Sequence, residues 1–174
     1  MVGFVLIFTA LSLPVTLRAQ DSKEEKIEAD SQEARAEFIS TDGLIQSLFE
    51  SSYGYVIFPN VGKGAIGIGG AAGNGVVFDK GNAIGTAKMK QVSVGFQFGG
   101  QAYREVIFFE NQSDVDRFKL DKFEFAAQAS AVAVTKGAST NVKYRNGVLV
   151  FTQEKGGLMY EASIGGQKFS YKPL

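Results

Sequence analysis

The most constraining feature of this chain is an abrupt change of texture at Ser51. Ahead of it, residues 22–40 contain neither Gly nor Pro. Ile27, Ala34 and Phe38 recur there at helical spacing, with Ala36 and Ile39 widening the apolar stripe. Beyond Ser51, short apolar runs alternate at period two between clusters of glycine. The run Val92-Ser-Val-Gly-Phe-Gln-Phe98 sets Val92, Val94, Phe96 and Phe98 on one face and Ser93, Gly95 and Gln97 on the other. Twenty-one Gly and fifteen Phe, against three Pro and no Trp, suit turn-rich, aromatic-packed β structure and not a disordered chain. The fold class expected is α+β, with N-terminal helices packed on a strongly bent, mainly antiparallel, glycine-rich β-sheet or partial barrel.

The local signals divide this picture further. Ser22 followed by Glu25 forms a capping-box pattern at the start of the first helix. Thr41 and Asp42 offer a second N-cap, for a short helix bearing Leu44, Ile45, Leu48 and Phe49. Strands are expected over 53–58, stopped by Pro59-Asn60, and over 103–109. A short helix with a Ser113 cap follows at 113–120, and 123–134 is assigned as strand on the alternation of Phe123, Phe125, Ala127 and Ala129. Residues 142–144 and 148–152 flank Asn146-Gly147, a strong two-residue hairpin signal. Residues 158–164 and 168–171 supply the remaining strands.

Composition removes several classes of chemistry. The chain has 174 residues, no Cys and no His. A thiol nucleophile, an iron–sulfur cluster, a zinc ribbon and a Ser-His-Asp triad are therefore impossible, and no cofactor is expected. Eighteen Lys+Arg balance eighteen Asp+Glu, so the total predicts no bulk attraction to a polyanion.

Residues 2–15 form an apolar run broken only by Gly3, Thr9, Ser12 and Pro14. That length suits a signal-peptide core better than a bilayer span. Cleavage is expected near Ala19, although Leu17 and the absence of Lys or Arg ahead of the run depart from the usual pattern; an uncleaved anchor is the alternative. The expected organisation is a signal peptide over 1–19, an acidic amphipathic helical segment over 20–40 and one binding domain over 41–174. The protein is then exported, periplasmic or secreted, and peripherally membrane-associated.

Motifs that suggest catalysis are weak. Gly62-Lys-Gly-Ala-Ile-Gly67 matches G-x-G-x-x-G, but the residues that follow hold too much glycine for the helix a dinucleotide site requires. Asp114 and Asp116 diverge on a helix, and these carboxylates, with Glu105 and Glu110, are expected to be solvated surface charge. Charge distribution is more informative. Residues 21–50 hold nine acidic and three basic residues, a local charge of −6, whereas 51–174 hold fourteen basic and nine acidic, or +5. Lys88 and Lys90 alternate on one strand face, as do Lys143 and Arg145, while Lys63, Lys80, Lys155 and Lys168 lie in or beside glycine turns. Such a strip attracts anionic head groups, although edge-protecting lysines are common in β domains. Nucleic acid is not expected, because the basic residues lack interleaved exposed aromatics.

The block Ser52-Tyr-Gly-Tyr-Val-Ile-Phe-Pro-Asn-Val-Gly-Lys-Gly-Ala-Ile-Gly-Ile-Gly-Gly70 resembles the opening of the SYLF domain, the lipid- and actin-binding domain of the Las-seventeen-binding proteins. Residues 75–81 continue the likeness. It is strongest in Ala87-Lys-Met-Lys-Gln-Val-Ser-Val-Gly-Phe-Gln-Phe-Gly-Gly-Gln-Ala-Tyr-Arg-Glu-Val-Ile-Phe-Phe109, and residues 123–130 and 154–163 resemble later blocks. The resemblance covers about residues 41–174. It implies a non-enzymatic module that binds anionic membrane lipid, phospholipid or phosphoinositide, in a single-domain form similar to the exported bacterial branch. Actin or an envelope protein is the alternative partner. The resemblance implies phosphoinositide binding partly through an amphipathic N-terminal helix in the eukaryotic relatives, and this chain departs from them because its helix is acidic. Lys63, Lys88, Lys90 and Arg104 are accordingly the candidate lipid-binding residues, and removal of residues 21–40 is expected to strengthen binding to anionic vesicles.

Overall fold

The computed structural model describes residues 15–63, 70–92, 102–121, 123–126, 130–155 and 162–174. Helix α1 (Val15–Thr41) and helix α2 (Ile45–Ser51) precede strands β1 (Gly54–Lys63), β2 (Gly70–Asp79), β3 (Asn82–Val92) and β4 (Ala102–Phe109). Helix α3 (Gln112–Lys119) follows, then β5 (Ser130–Ala133), β6 (Val148–Glu154), β7 (Ala162–Ser163) and β8 (Gln167–Pro173). The strands pair in the order β7-β5-β6-β4-β1-β2-β3-β8, antiparallel throughout except for β5 beside β6. The sheet is open, with β7 and β8 at its edges, and the α+β class expected from sequence holds.

Period-two alternation gives this sheet two apolar faces. Val56, Phe58, Met89, Ile107, Phe109, Val150 and Phe169 share one face with Val115 and Phe118 of α3 and with Phe123 and Phe125. Tyr55, Ile57, Val76, Phe78, Val106, Phe108 and Phe151 share the other with Ala34 and Phe38 of α1 and Ile45 and Phe49 of α2. Fully burying one such side chain stabilises by about 1.5–3 kcal/mol, so the aromatic content read from composition supplies most of both layers.

Several local expectations are corrected. Helix α1 is already under way at Val15, so Ser22 lies inside it and is not its N-cap. Strand β1 passes through Pro59 because an extra residue bulges there, between Ile57 and Asn60 against β2 and between Phe58 and Val61 against β4. A proline lacks a ladder donor, and a bulge is the place where none is needed. The cap of α3 is Asn111, one half of a capping box with Asp114, in place of Ser113. Strand β5 is confined to 130–133; residues 123–126 run beside β8 through the single bridge Glu124 to Lys168, and 127–129 lie outside the described residues.

Turn chemistry is more legible. Asn146 and Gly147 take φ of 52° and 78°, as a two-residue hairpin turn requires. The arm before that turn is only the bridge from Arg145 to Val148. Lys80 and Gly81, at 47° and 84°, make the equivalent turn between β2 and β3. Asp42 does organise the second helix: its Oδ1 accepts the Leu44 N–H at 3.2 Å, although the helix itself begins at Ile45. Residues 64–69, 93–101 and 156–161 lie outside the described residues, and with them most of the G-x-G-x-x-G stretch and the alternating run after Val92.

Candidate functional site: a lysine face beside an acidic helix

Strand β3 turns Ala87, Met89 and Gln91 into the core and leaves Lys88 and Lys90 exposed on the face that α1 shares. Strand β8 pairs with β3 in antiparallel register, Lys90 opposite Lys168, Lys88 opposite Ser170 and Thr86 opposite Lys172. Because Gln167 and Phe169 are buried, Lys168 and Lys172 fall on the same outward face as Lys88 and Lys90. Four ammonium groups are thus collected on two adjacent strands. Directly opposed residues have Cβ atoms about 4.5–5.5 Å apart, and like charges so placed repel. Glu124 partly compensates at 3.5 Å from Lys168, whose side chain remains 70 % exposed.

The flank of this face carries both signs of charge. Between the first half of α1 and the strands lies a groove of about 780 Å³, lined by Lys23, Glu24, Lys26 and Asp30 of the helix and by Lys88 and Lys172 of the sheet. Lys172 crosses it to Glu24 at 2.9 Å, and Lys26 pairs with Asp30 along the helix at 2.7 Å. Among the described residues Lys88 and Lys90 form no ion pair. The helix therefore stands beside the lysine face and engages one of its four cations.

Of the four residues singled out in the sequence, Lys88 and Lys90 are brought together. Lys63 ends β1 opposite Ala71, and its side chain lies outside the described residues. Arg104 sits on β4, three strands from β3, half-buried, donating to Gln153 Oε1 at 3.2 Å. Gln153 in turn donates to Thr41 Oγ1 at 2.7 Å, so this pair fastens the end of α1 to the sheet. Lys168 and Lys172 complete the face, and their alternation with Gln167 and Phe169 is visible in sequence. Their partner strand is not, because the pairing spans 76 residues.

The expectation of solvated carboxylates fails for two residues. Asp114 is buried as the capping partner of Asn111, and Glu105 is fully buried in the core. Among the described residues no group of three or more His, Cys, Asp or Glu is placed to hold a metal ion. No described helix is long and apolar enough to cross a membrane.

Residues 90–172, which hold the end of β3, the whole of β4 and all but the tip of β8, match the model of the Ysc84 family, described as Las17-binding protein actin regulator. That stretch, a little under half of the chain, is similar to the SYLF family. The family is a lipid- and actin-related one. The block at residues 52–70 that also resembles it lies upstream of the matched stretch. A curated relative, Beta cell expansion factor A of Aeromonas veronii, is 28 % identical over 123 residues, which is 70 % of this chain and 47 % of the relative. The chain thus spans about half the length of that relative.

Proposed function

We propose that this SYLF-like domain is a non-enzymatic binder of anionic phospholipid head groups, acting outside the cytoplasm as a peripheral membrane protein. The observation that carries this reading is the grouping of Lys88, Lys90, Lys168 and Lys172 on one exposed face of β3 and β8. A basic residue near an anionic bilayer contributes about 1 kcal/mol, so four acting together give a useful and salt-sensitive attraction. Glu24 and Asp30 of α1 border the same face and oppose that attraction, with Lys23 and Lys26 beside them offsetting part of it. Lipid contact through the sheet, with the helix as a shield, fits this charge pattern better than contact through the helix.

Sedimentation with vesicles of phosphatidylglycerol against vesicles of phosphatidylcholine tests the proposal. The chain is expected to pellet only with the former, K88E/K90E to remain in the supernatant, and R104A to behave as the wild type. Equal recovery with both vesicles, or unchanged binding of K88E/K90E, would overturn it. The family description favours a second reading, in which the same face meets an acidic protein such as an actin filament. Co-sedimentation with filaments in the absence of lipid separates the two.

A further inference from the structure

The inner face of the strands that carry the lysines encloses a polar cluster. Glu105 on β4 is 0 % exposed, as is Gln167 on β8, and Gln91 on β3 is 5 % exposed. Gln91 and Gln167 are cross-strand partners. Gln167 Nε2 donates to Glu105 Oε2 at 2.9 Å and lies 3.4 Å from Gln91 Oε1, while Gln91 Nε2 donates to the carbonyl of Gly165 at 3.2 Å. Among the described residues, those that also face Glu105 are Phe58 from β1, Thr152 from β6 and Tyr103 from its own strand. Lys90 and Lys168 belong to the opposite face, so no described cation neutralises the carboxyl.

Among the described residues, two buried oxygens in this cluster have no hydrogen-bond donor: Glu105 Oε1 and Gln167 Oε1. They are the two remaining oxygens of a single carboxyl–amide couple. A carboxylic acid and a primary amide meet through two bonds, amide N–H to one carboxyl oxygen and carboxyl O–H to the amide oxygen. The first bond is present, and the atoms of the second are the two left over. A carboxylate would leave both as uncompensated acceptors in an apolar core, an arrangement native interiors avoid.

We infer that Glu105 is a neutral acid in the folded protein and that its O–H, donated to Gln167, closes an acid–amide pair fastening the edge strand β8 to β4 under the control of pH. Burial pushes the Glu105 carboxyl from 4.5 up to about 7, opposed by the hydrogen bond from Gln167. Among the described residues Tyr103 is the other titratable group facing it; burial and then the Glu105 charge push it above its ordinary value, opposed by a hydrogen bond with the Gln167 side chain, and it stays neutral. The sign follows from linkage. Between 4.5 and 7 the native state holds a proton that the unfolded chain releases, so stability falls as pH rises through that window and is level above it. The limiting slope is about tenfold in the folding constant per pH unit. This inference does not depend on what the lysine face binds.

The test compares the full chain with E105Q by urea unfolding from about pH 5 to about pH 8. A glutamine at this position donates to Gln167 Oε1 and accepts from Gln167 Nε2, imitating the neutral pair without a titrating proton. Relative to E105Q, the wild type is expected to match it near pH 5 and to lose folding constant by up to about tenfold per unit towards neutrality. Parallel profiles, or a variant less stable than wild type at the alkaline end, would overturn the pair. Carboxyl-carbon NMR of the wild type decides the matter even where E105Q does not fold: a Glu105 midpoint near 7 supports it and one near 4.5 refutes it.

Discussion

The two halves of α1 are one continuous helix attached by different physics. Towards its C-terminal end, Ala34 and Phe38 are buried against Ile45, Phe49 and the aromatic face of the sheet. Asp42 then secures the junction, its Oδ2 accepting from Ser139 N and Oγ at 2.8 and 2.7 Å. Towards the N-terminal end the helix borders an open groove and holds the sheet through the half-exposed pair of Glu24 and Lys172. The first kind of attachment is large and insensitive to salt. The second contributes at most about 1 kcal/mol and is screened over roughly 8–10 Å at physiological ionic strength. A competing anion therefore has access to the weak half of the helix without disturbing the strong half.

This contrast can be broken or sharpened by three measurements. Phe38→Ala empties a fully buried site and is expected to cost about 3–5 kcal/mol in urea unfolding. A loss below about 1 kcal/mol would remove the claim that this half is the anchor. Asp42→Ala is expected to cost about 1–3 kcal/mol, because it orphans the donors of Ser139 and Leu44. Burial raises the Asp42 carboxyl, but the hydrogen bonds from Ser139, Leu44 and Gly137 outweigh it and leave the group below 3.8. Its contribution is thus present above 3.8 and lost as pH falls further, an acid limb that D42A should lack.

Glu24→Gln stands at the small end, with a stability change within about 1 kcal/mol. Its effect should instead be seen as tighter sedimentation with phosphatidylglycerol vesicles, diminishing as salt is added. Unchanged or weaker binding would show that the helix does not shield the face. Trimming residues 21–30 tests the same point more strongly. A cut extending to residue 40 also removes Ala34 and Phe38 from the core, so its effect on binding would be mixed with loss of the fold.

The parts of this molecule that were legible in sequence are those written in local spacing. The helical stripe of Ile27, Ala34 and Phe38, the Asn146-Gly147 turn and the pairing of Lys88 with Lys90 on one face need only a few residues to specify them. The departures came from long range. Pro59 reads locally as a stop, yet strands on both sides carry β1 past it. Lys168 reads as a turn residue until β8 is laid against β3. Glu105 reads as surface charge because nothing nearby reveals that Gln91 and Gln167, contributed by two other strands, enclose it. Resemblance to a family located the module and left these pairings to the structure.

The register of β8 on β3 also bears on how the protein is made. Lys88 and Lys90 are synthesised some eighty residues before the strand that completes their face, and Gln91 waits 76 residues for Gln167. Contacts so distant in sequence form slowly, and pairing of this kind rate-limits many β-rich domains. Until residues 167–173 have been made, β3 is an unpaired edge and Glu105 lacks the amide that would shelter it. The basic platform and the buried acid thus depend on the same C-terminal strand.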